Sequence, residues 1–222
     1  MLPAPGDAAV TLPDRPLEPS FASADFSRFL SACFYEPTPM FAEERLFESM
    51  GQAARLVAPE LAQPVLRLGE AYAAEDPQGL RVDYGRLFLG PVDPRARPYG
   101  SFWLTGDATA MHDATLALLD LYRAGGFEMA DDFRDLPDHV AVELEFLYVL
   151  TFRLVQAGWA GDRAGAAALT ALRDRFLDEQ LGAWIEPFTE AMRNGAETAF
   201  YRELADLTRR WVRVGPSAAA TP

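Results

Sequence analysis

His139 and Glu143 stand four residues apart in the stretch Asp135-Leu136-Pro137-Asp138-His139-Val140-Ala141-Val142-Glu143-Leu144-Glu145-Phe146-Leu147. On a helix that spacing places both side chains on one face. There an imidazole and a carboxylate could act as an acid/base pair or ligate one metal ion. The other histidine, His112, lies next to Asp113 on a separate predicted helix. A metal site built from these groups would be expected to show a His-rich or paired Glu-x-x-His pattern, and neither occurs. A Gly-x-x-x-x-Gly-Lys phosphate loop is impossible because the chain has no lysine, and all 20 basic residues are arginine. No strand-turn-serine arrangement presents a nucleophile. The residues point to recognition, with no catalytic residue, cofactor or metal.

A purely local reading of 135–143 stands beside the functional one. Asp135 can cap a helix by accepting a backbone N–H, with Pro137 in the first turn. Asp138, in that same turn, meets the positive end of the helix dipole. His139 is pulled both ways, since a helix N-terminus disfavours the imidazolium while Asp138 and Glu143 favour it. Its charge stays open at this level.

The elements that must position these residues are helical. Apolar residues recur at helical spacing and alternation with period two is nearly absent, so the fold class is all-α. One stripe runs through Phe26, Phe29, Leu30, Cys33 and Phe34, and ends at Pro37 and Pro39. The next comprises Leu46, Phe47, Met50, Ala54 and Val57. A third helix starts at Pro59 and carries Leu61, Val65, Leu68 and Tyr72. Asp76-Pro77 reads as an N-cap with proline at the first helical position, leading to Leu80, Tyr84, Leu87 and Phe88. From 90 to 106 the periodicity stops in turn chemistry, yet Tyr99, Phe102 and Trp103 are too apolar for a solvated loop. They either pack on the body or line a binding surface. A helix from Asp107 to Tyr122 stops at Gly125-Gly126, and an acidic connection to Asp135 makes 124–136 the expected hinge. The helix over 140–155 is apolar on all sides, hence buried. Segments 163–181, 183–193 and 196–212 complete a bundle of eight or nine helices.

Composition bounds the rest. The 222 residues can bury one sizeable core. A net charge of −13 argues against nucleic acid and anionic membrane and favours basic partners. The single cysteine, Cys33, excludes an internal disulfide and reads as a buried thiol. Residues 1–20 are proline-rich without an apolar run, so they read as a disordered tail rather than a signal peptide or anchor. The helical unit spans 21–213, and 214–222 form a second disordered tail. No uncharged apolar stretch reaches the roughly 18 residues that span a bilayer, so no stable membrane insertion is expected and a cytoplasmic protein follows.

Three motifs then occur in order: Tyr84-Gly85-Arg86-Leu87-Phe88-Leu89-Gly90-Pro91, Pro98-Tyr99-Gly100-Ser101-Phe102-Trp103-Leu104 and Pro137-Asp138-His139. With Phe176-Leu177, Trp184, Phe188, Ala199-Phe200-Tyr201 and Leu204-Ala205, the chain over 24–213 resembles the TorD/DmsD/NarJ family of redox-enzyme maturation chaperones. Two positions depart from the usual pattern: Leu136 stands where the proline often lies, with Pro137 after it, and Gln180 stands where histidine is frequent. The resemblance implies a chaperone for the precursor of a molybdopterin oxidoreductase. Such a protein holds the twin-arginine signal peptide, or the apoenzyme, until cofactor insertion. It further implies peptide binding by Tyr84, Leu87, Phe88, Pro98, Tyr99, Ser101, Trp103, Asp138 and His139, with Glu143 one turn further on. Acidic and aromatic side chains suit a basic head followed by an apolar stretch.

Two other classes compete: a nucleotide-dependent switch or hydrolase using His139 and Glu143, and a structural subunit of a mature redox complex. Oligomeric state stays between a monomer and a dimer swapped at the hinge.

Overall fold

The Asp76-Pro77 pair shows how local signals lay out this chain. Asp76 Oδ2 accepts the Gly79 N–H at 2.9 Å, and Pro77, with no N–H to waste, opens the helix. The same rule starts two later helices, where Asp162 accepts from Gly165 N–H and Thr198 from Tyr201 N–H.

The computed structural model describes residues 18–39, 41, 45–90, 93–104, 108–129 and 135–215, without the side chains of 108–112. Ten α-helices occur among them: α1 Ala22–Ala32, α2 Leu46–Val57, α3 Ala62–Ala74, α4 Pro77–Tyr84, α5 Gly100–Leu104, α6 Ala108–Ala124, α7 Val140–Trp159, α8 Arg163–Glu179, α9 Leu181–Gly195 and α10 Ala199–Val214. Short 3₁₀ turns precede α1 and α3, and a π turn, Gly85–Leu89, continues α4. No strand is present among the described residues, and the one bridge pairs Tyr99 with His139. The fold is all-α, as the periodicity predicts. The helix beyond the expected eight or nine is α5, which at five residues is too short to show a period. Most of residues 1–20, positions 130–134 of the expected hinge, most of the tail after 214 and the side chain of His112 lie outside the described residues.

α7 runs through the core and is apolar around its axis, as expected, packing against α1 and α8. α10 packs on α9 and α3. Phe26 and Trp211 join α1 to α10 with ring centroids 4.3 Å apart, and Trp211 Nε1 donates to Ser27 Oγ at 3.1 Å. Cys33 is buried, as its apolar neighbours predict, and burial pushes its thiol pKa up.

The described part of the 124–136 connection is tied down. The end of α6 closes with Phe127 N–H donating to Tyr122 O at 2.8 Å and Gly126 N–H donating to Arg123 O at 3.0 Å. Gly126 has φ of 62°, the left-handed conformation that this cap demands. Arg153 of α7 donates to the carbonyls of Gly125 and Gly126 at 2.6 and 3.1 Å, so the long helix grips the turn.

One local expectation is corrected. α7 begins at Val140, and its N-cap is His139 rather than Asp135, while Pro137 and Asp138 lie before the helix. Asp135 Oδ1 instead accepts the N–H of Leu136 at 2.8 Å and the hydroxyl of Tyr99 at 2.9 Å. Residues 98–100 meet the chain at the mouth of the helix, where Pro98 O accepts the Val140 N–H and Gly100 N–H donates to Asp138 O.

Candidate functional site

The first free N–H groups of α7 are satisfied from two directions. Pro98, which has no N–H of its own, offers its carbonyl to Val140 N–H at 2.8 Å, and Gly100 N–H donates to Asp138 O at 2.9 Å. His139 Nδ1 accepts the Ala141 N–H at 3.1 Å. The favour is returned, since Asp138 Oδ2 accepts Ser101 N–H at 2.9 Å and so caps the start of α5. Asp138, expected to meet the dipole of its own helix, therefore stabilises the N-terminus of another one.

Beneath this junction lies Glu143, with 0% exposure. The Trp184 Nε1–H points at its two oxygens at 3.2 and 3.3 Å. Burial holds the Glu143 carboxyl pKa well above the ordinary range, the Trp184 hydrogen bond opposes that rise and the nearby Asp138 charge adds to it. Gly100 is required here by contact: a Cβ would stand 2.7 Å from Trp184 Nε1 and 2.8 Å from Glu143 Oε1. Glu143 is sealed under Trp184, while His139 Nδ1 is engaged by the helix cap. The two side chains do not form an acid/base couple.

Outward from His139 the walls are tyrosines. Tyr35, just past α1, stacks on the imidazole at 6.2 Å and 14°, and Tyr99 meets it edge-on at 5.5 Å. Tyr35 donates its hydroxyl to Glu145 Oε1 at 3.0 Å, and Ser31 Oγ donates to the same oxygen at 3.3 Å. Burial lowers the His139 pKa below 6.5, against the pull of Asp135 and Asp138. Burial, aided by the charges of Asp135 and Glu36, pushes the Tyr84 phenol up to about 12.

The motif residues fall at two depths. Tyr84, Leu87, Phe88, Pro98, Ser101, Asp138, His139 and Glu143 are buried, while Tyr99 and Trp103 are half-buried. Leu87 and Phe88 belong to the core, Phe88 lying 5.7 Å from Tyr201 and 6.3 Å from Phe188 between ring centroids. Trp103 turns toward Phe188 at 6.3 Å and donates Nε1–H to Arg97 O at 2.7 Å. The first motif is anchored by Asp83, whose Oδ2 accepts Glu197 N–H, Thr198 N–H and Thr198 Oγ–H at 3.0, 2.8 and 2.8 Å. Arg86 completes the joint with an ion pair to Glu197 and a bond to Gly195 O. So the structure brings 98–101 and 138–143 together, and it places Leu87 and Phe88 behind them.

Sequence reasoning did not single out Tyr35, Glu145 or Leu136 as site residues, and it left Phe102 between packing on the body and lining a binding surface. Phe102 and Leu136 are 39% and 53% exposed, an unusual state for large apolar groups beside a buried junction. The clue for Tyr35 was an aromatic at the end of an apolar stripe, immediately before Glu36-Pro37. Among the described residues no three histidine, cysteine or carboxylate side chains gather as metal ligands, and no helix is long and apolar enough to cross a membrane.

The described residues form an all-helical body in which a distant loop is locked onto the mouth of the longest helix. The chain belongs to the nitrate reductase delta subunit family, whose model matches residues 49–190 and so takes in the whole junction. It is 28% identical to the chaperone protein TorD of Photobacterium profundum over 68% of this chain and 71% of that protein. It is 30% identical to TorD of Shewanella loihica over 60% of this chain and 59% of that one. The Tat proofreading chaperone DmsD of Salmonella typhi is 25% identical over 82% of this chain and 83% of its own length. These relatives are named as chaperones and not as enzymes. The fold is shared with a candidate redox enzyme maturation protein from Archaeoglobus fulgidus, with TM-score 0.52, 21% identity, and coverage of 86% of this chain and 93% of that one.

Proposed function

We propose that this protein is a cytoplasmic chaperone that binds the twin-arginine signal peptide, the apoprotein, or both, of a molybdenum-cofactor oxidoreductase and holds it for cofactor insertion. The observation that carries the reading is the junction of 98–104 with 135–143. It presents half-buried Tyr99 and Trp103 and exposed Phe102 and Leu136 next to the exposed carboxylate of Asp135. Flat apolar surface suits the hydrophobic stretch of a signal peptide, and carboxylates suit its guanidinium groups. The net charge of −13 steers a basic segment toward the protein.

A chaperone needs a reversible grip on an immature client. The test is affinity purification of a tagged copy, with mass spectrometry of what accompanies it. The expected partner is an oxidoreductase precursor that still carries its signal peptide. Recovery of the mature, cofactor-loaded enzyme in stoichiometric amount would instead identify a structural subunit.

A further inference from the structure

We infer that His139 serves the bound peptide as a neutral Nε2–H donor to a backbone carbonyl, while Asp135 beside it takes a cationic side chain of the same peptide. This deepens the peptide-binding reading above and rests on it. The tautomer follows from the helix cap. Because Nδ1 accepts the Ala141 N–H at 3.1 Å, the ring proton of a neutral imidazole must sit on Nε2. His139 is 4% exposed, yet Nε2 has no hydrogen-bond partner among the described residues and is not among the fully enclosed unpaired atoms. A donor held at the edge of a buried ring, with tyrosines on two sides, is poised for an acceptor from outside.

The surroundings select which acceptor. From α7 and its approach come Asp135, Asp138, Glu143 and Glu145, and from the end of α1 come Tyr35 and Glu36. α4 adds Tyr84, the 98–100 segment adds Tyr99, and α6 adds Tyr122, whose hydroxyl donates to Pro137 O at 2.8 Å. The charges acting on the imidazole, Asp135 and Asp138, are both negative. An anionic acceptor would be repelled, so a neutral carbonyl fits, and it fits best on a chain that also carries a cation. Asp135 is exposed and uses only Oδ1 in its two hydrogen bonds, which leaves Oδ2 for that cation. Acid works against this arrangement in two ways. Protonating Nδ1 sets a donor against the Ala141 N–H, and the resulting imidazolium repels the peptide's cation.

The experiment is titration calorimetry of the full chain with a blocked synthetic peptide carrying two adjacent arginines followed by apolar residues. Wild-type affinity should fall as the pH drops through the His139 pKa, by up to about tenfold per pH unit for one linked proton. His139→Gln keeps a neutral N–H donor, so it should bind at neutral pH and lose that acid step. Melting temperatures of both proteins establish that each is folded at every pH used. Because the chain has only two histidines, long-range ¹H–¹⁵N spectra of the unmutated protein give a second readout. They should show the Nε2–H tautomer at neutral pH, with its signals moving on peptide addition. Identical pH profiles for wild type and His139→Gln, an Nδ1–H tautomer, or His139 signals unmoved by saturating peptide would each overturn this inference while leaving peptide binding intact. No binding at neutral pH by the wild type would remove the proposed function and this inference together.

Discussion

Glu143→Gln is the substitution that interrogates the centre of the junction. Glu143 is fully buried under Trp184, and burial drives its carboxyl pKa well above the ordinary 4.5. Below that ordinary value the acid is protonated in both the folded and the unfolded chain. Above it the unfolded chain ionises while the folded one keeps its proton, so the stability this group contributes is lost as pH rises, until the folded carboxyl ionises too. Each pH unit within that window is worth about 1.4 kcal/mol for one proton. Glutamine keeps the shape, accepts the same Trp184 N–H through its amide oxygen and has nothing to titrate. The stability of Glu143→Gln relative to wild type should therefore increase with pH above about 4.5, with a slope approaching 1.4 kcal/mol per unit. Urea denaturation of both proteins across roughly pH 4 to 8 measures it. His139 titrates in both proteins and opposes the trend, because its lowered pKa costs stability as pH falls. Taking the difference between the two curves isolates Glu143. Parallel curves over that whole range would mean that Glu143 is ionised in the fold, and the reasoning from burial would fail.

Other expectations follow from neighbouring contacts. Gly100→Ala forces a methyl group into Trp184 and Glu143 and should destabilise by about 1–3 kcal/mol in chemical denaturation; a neutral result would show that α5 can slide away freely. Asp83→Ala leaves the Glu197 and Thr198 donors at the head of α10 without their acceptor and should cost about 3 kcal/mol by the same assay. Trp103→Ala should weaken binding of a twin-arginine peptide by about 2 kcal/mol with the protein still folded; lower melting temperature with unchanged affinity would assign Trp103 to architecture through its Phe188 contact. Affinity for the same peptide should fall as salt rises, since exposed carboxylates meet its arginines, and a flat salt series in calorimetry would leave an apolar grip alone.

Helix identity was readable along the chain because its causes are local. Asp76-Pro77 opens α4 through a bond three residues long, and the apolar stripes of α1, α2 and α3 name the faces they bury. The short α5 carries no periodic signal, since it does not complete two turns. The junction was legible only in part. Its ingredients, the Tyr99 loop and the Asp138-His139 pair, stood out as unusual types in unusual places, and the structure does bring them together. What they do there could not be read in sequence order. A helix mouth takes whichever acceptors reach it: Pro98 arrives from some forty residues away to accept the Val140 N–H, and His139 rather than Asp135 caps the helix. Asp138 is thereby freed to hold Ser101. Glu143 looked like the partner of His139 because four residues make one helix face, but a face can point into the core as easily as out of it. Only the position of Trp184 and the closeness of Gly100 decide that Glu143 is sealed, and only the Nδ1 contact decides which nitrogen of His139 is left to act. Spacing determines which residues share a surface. Burial, which depends on every other element at once, determines their charge and therefore their use.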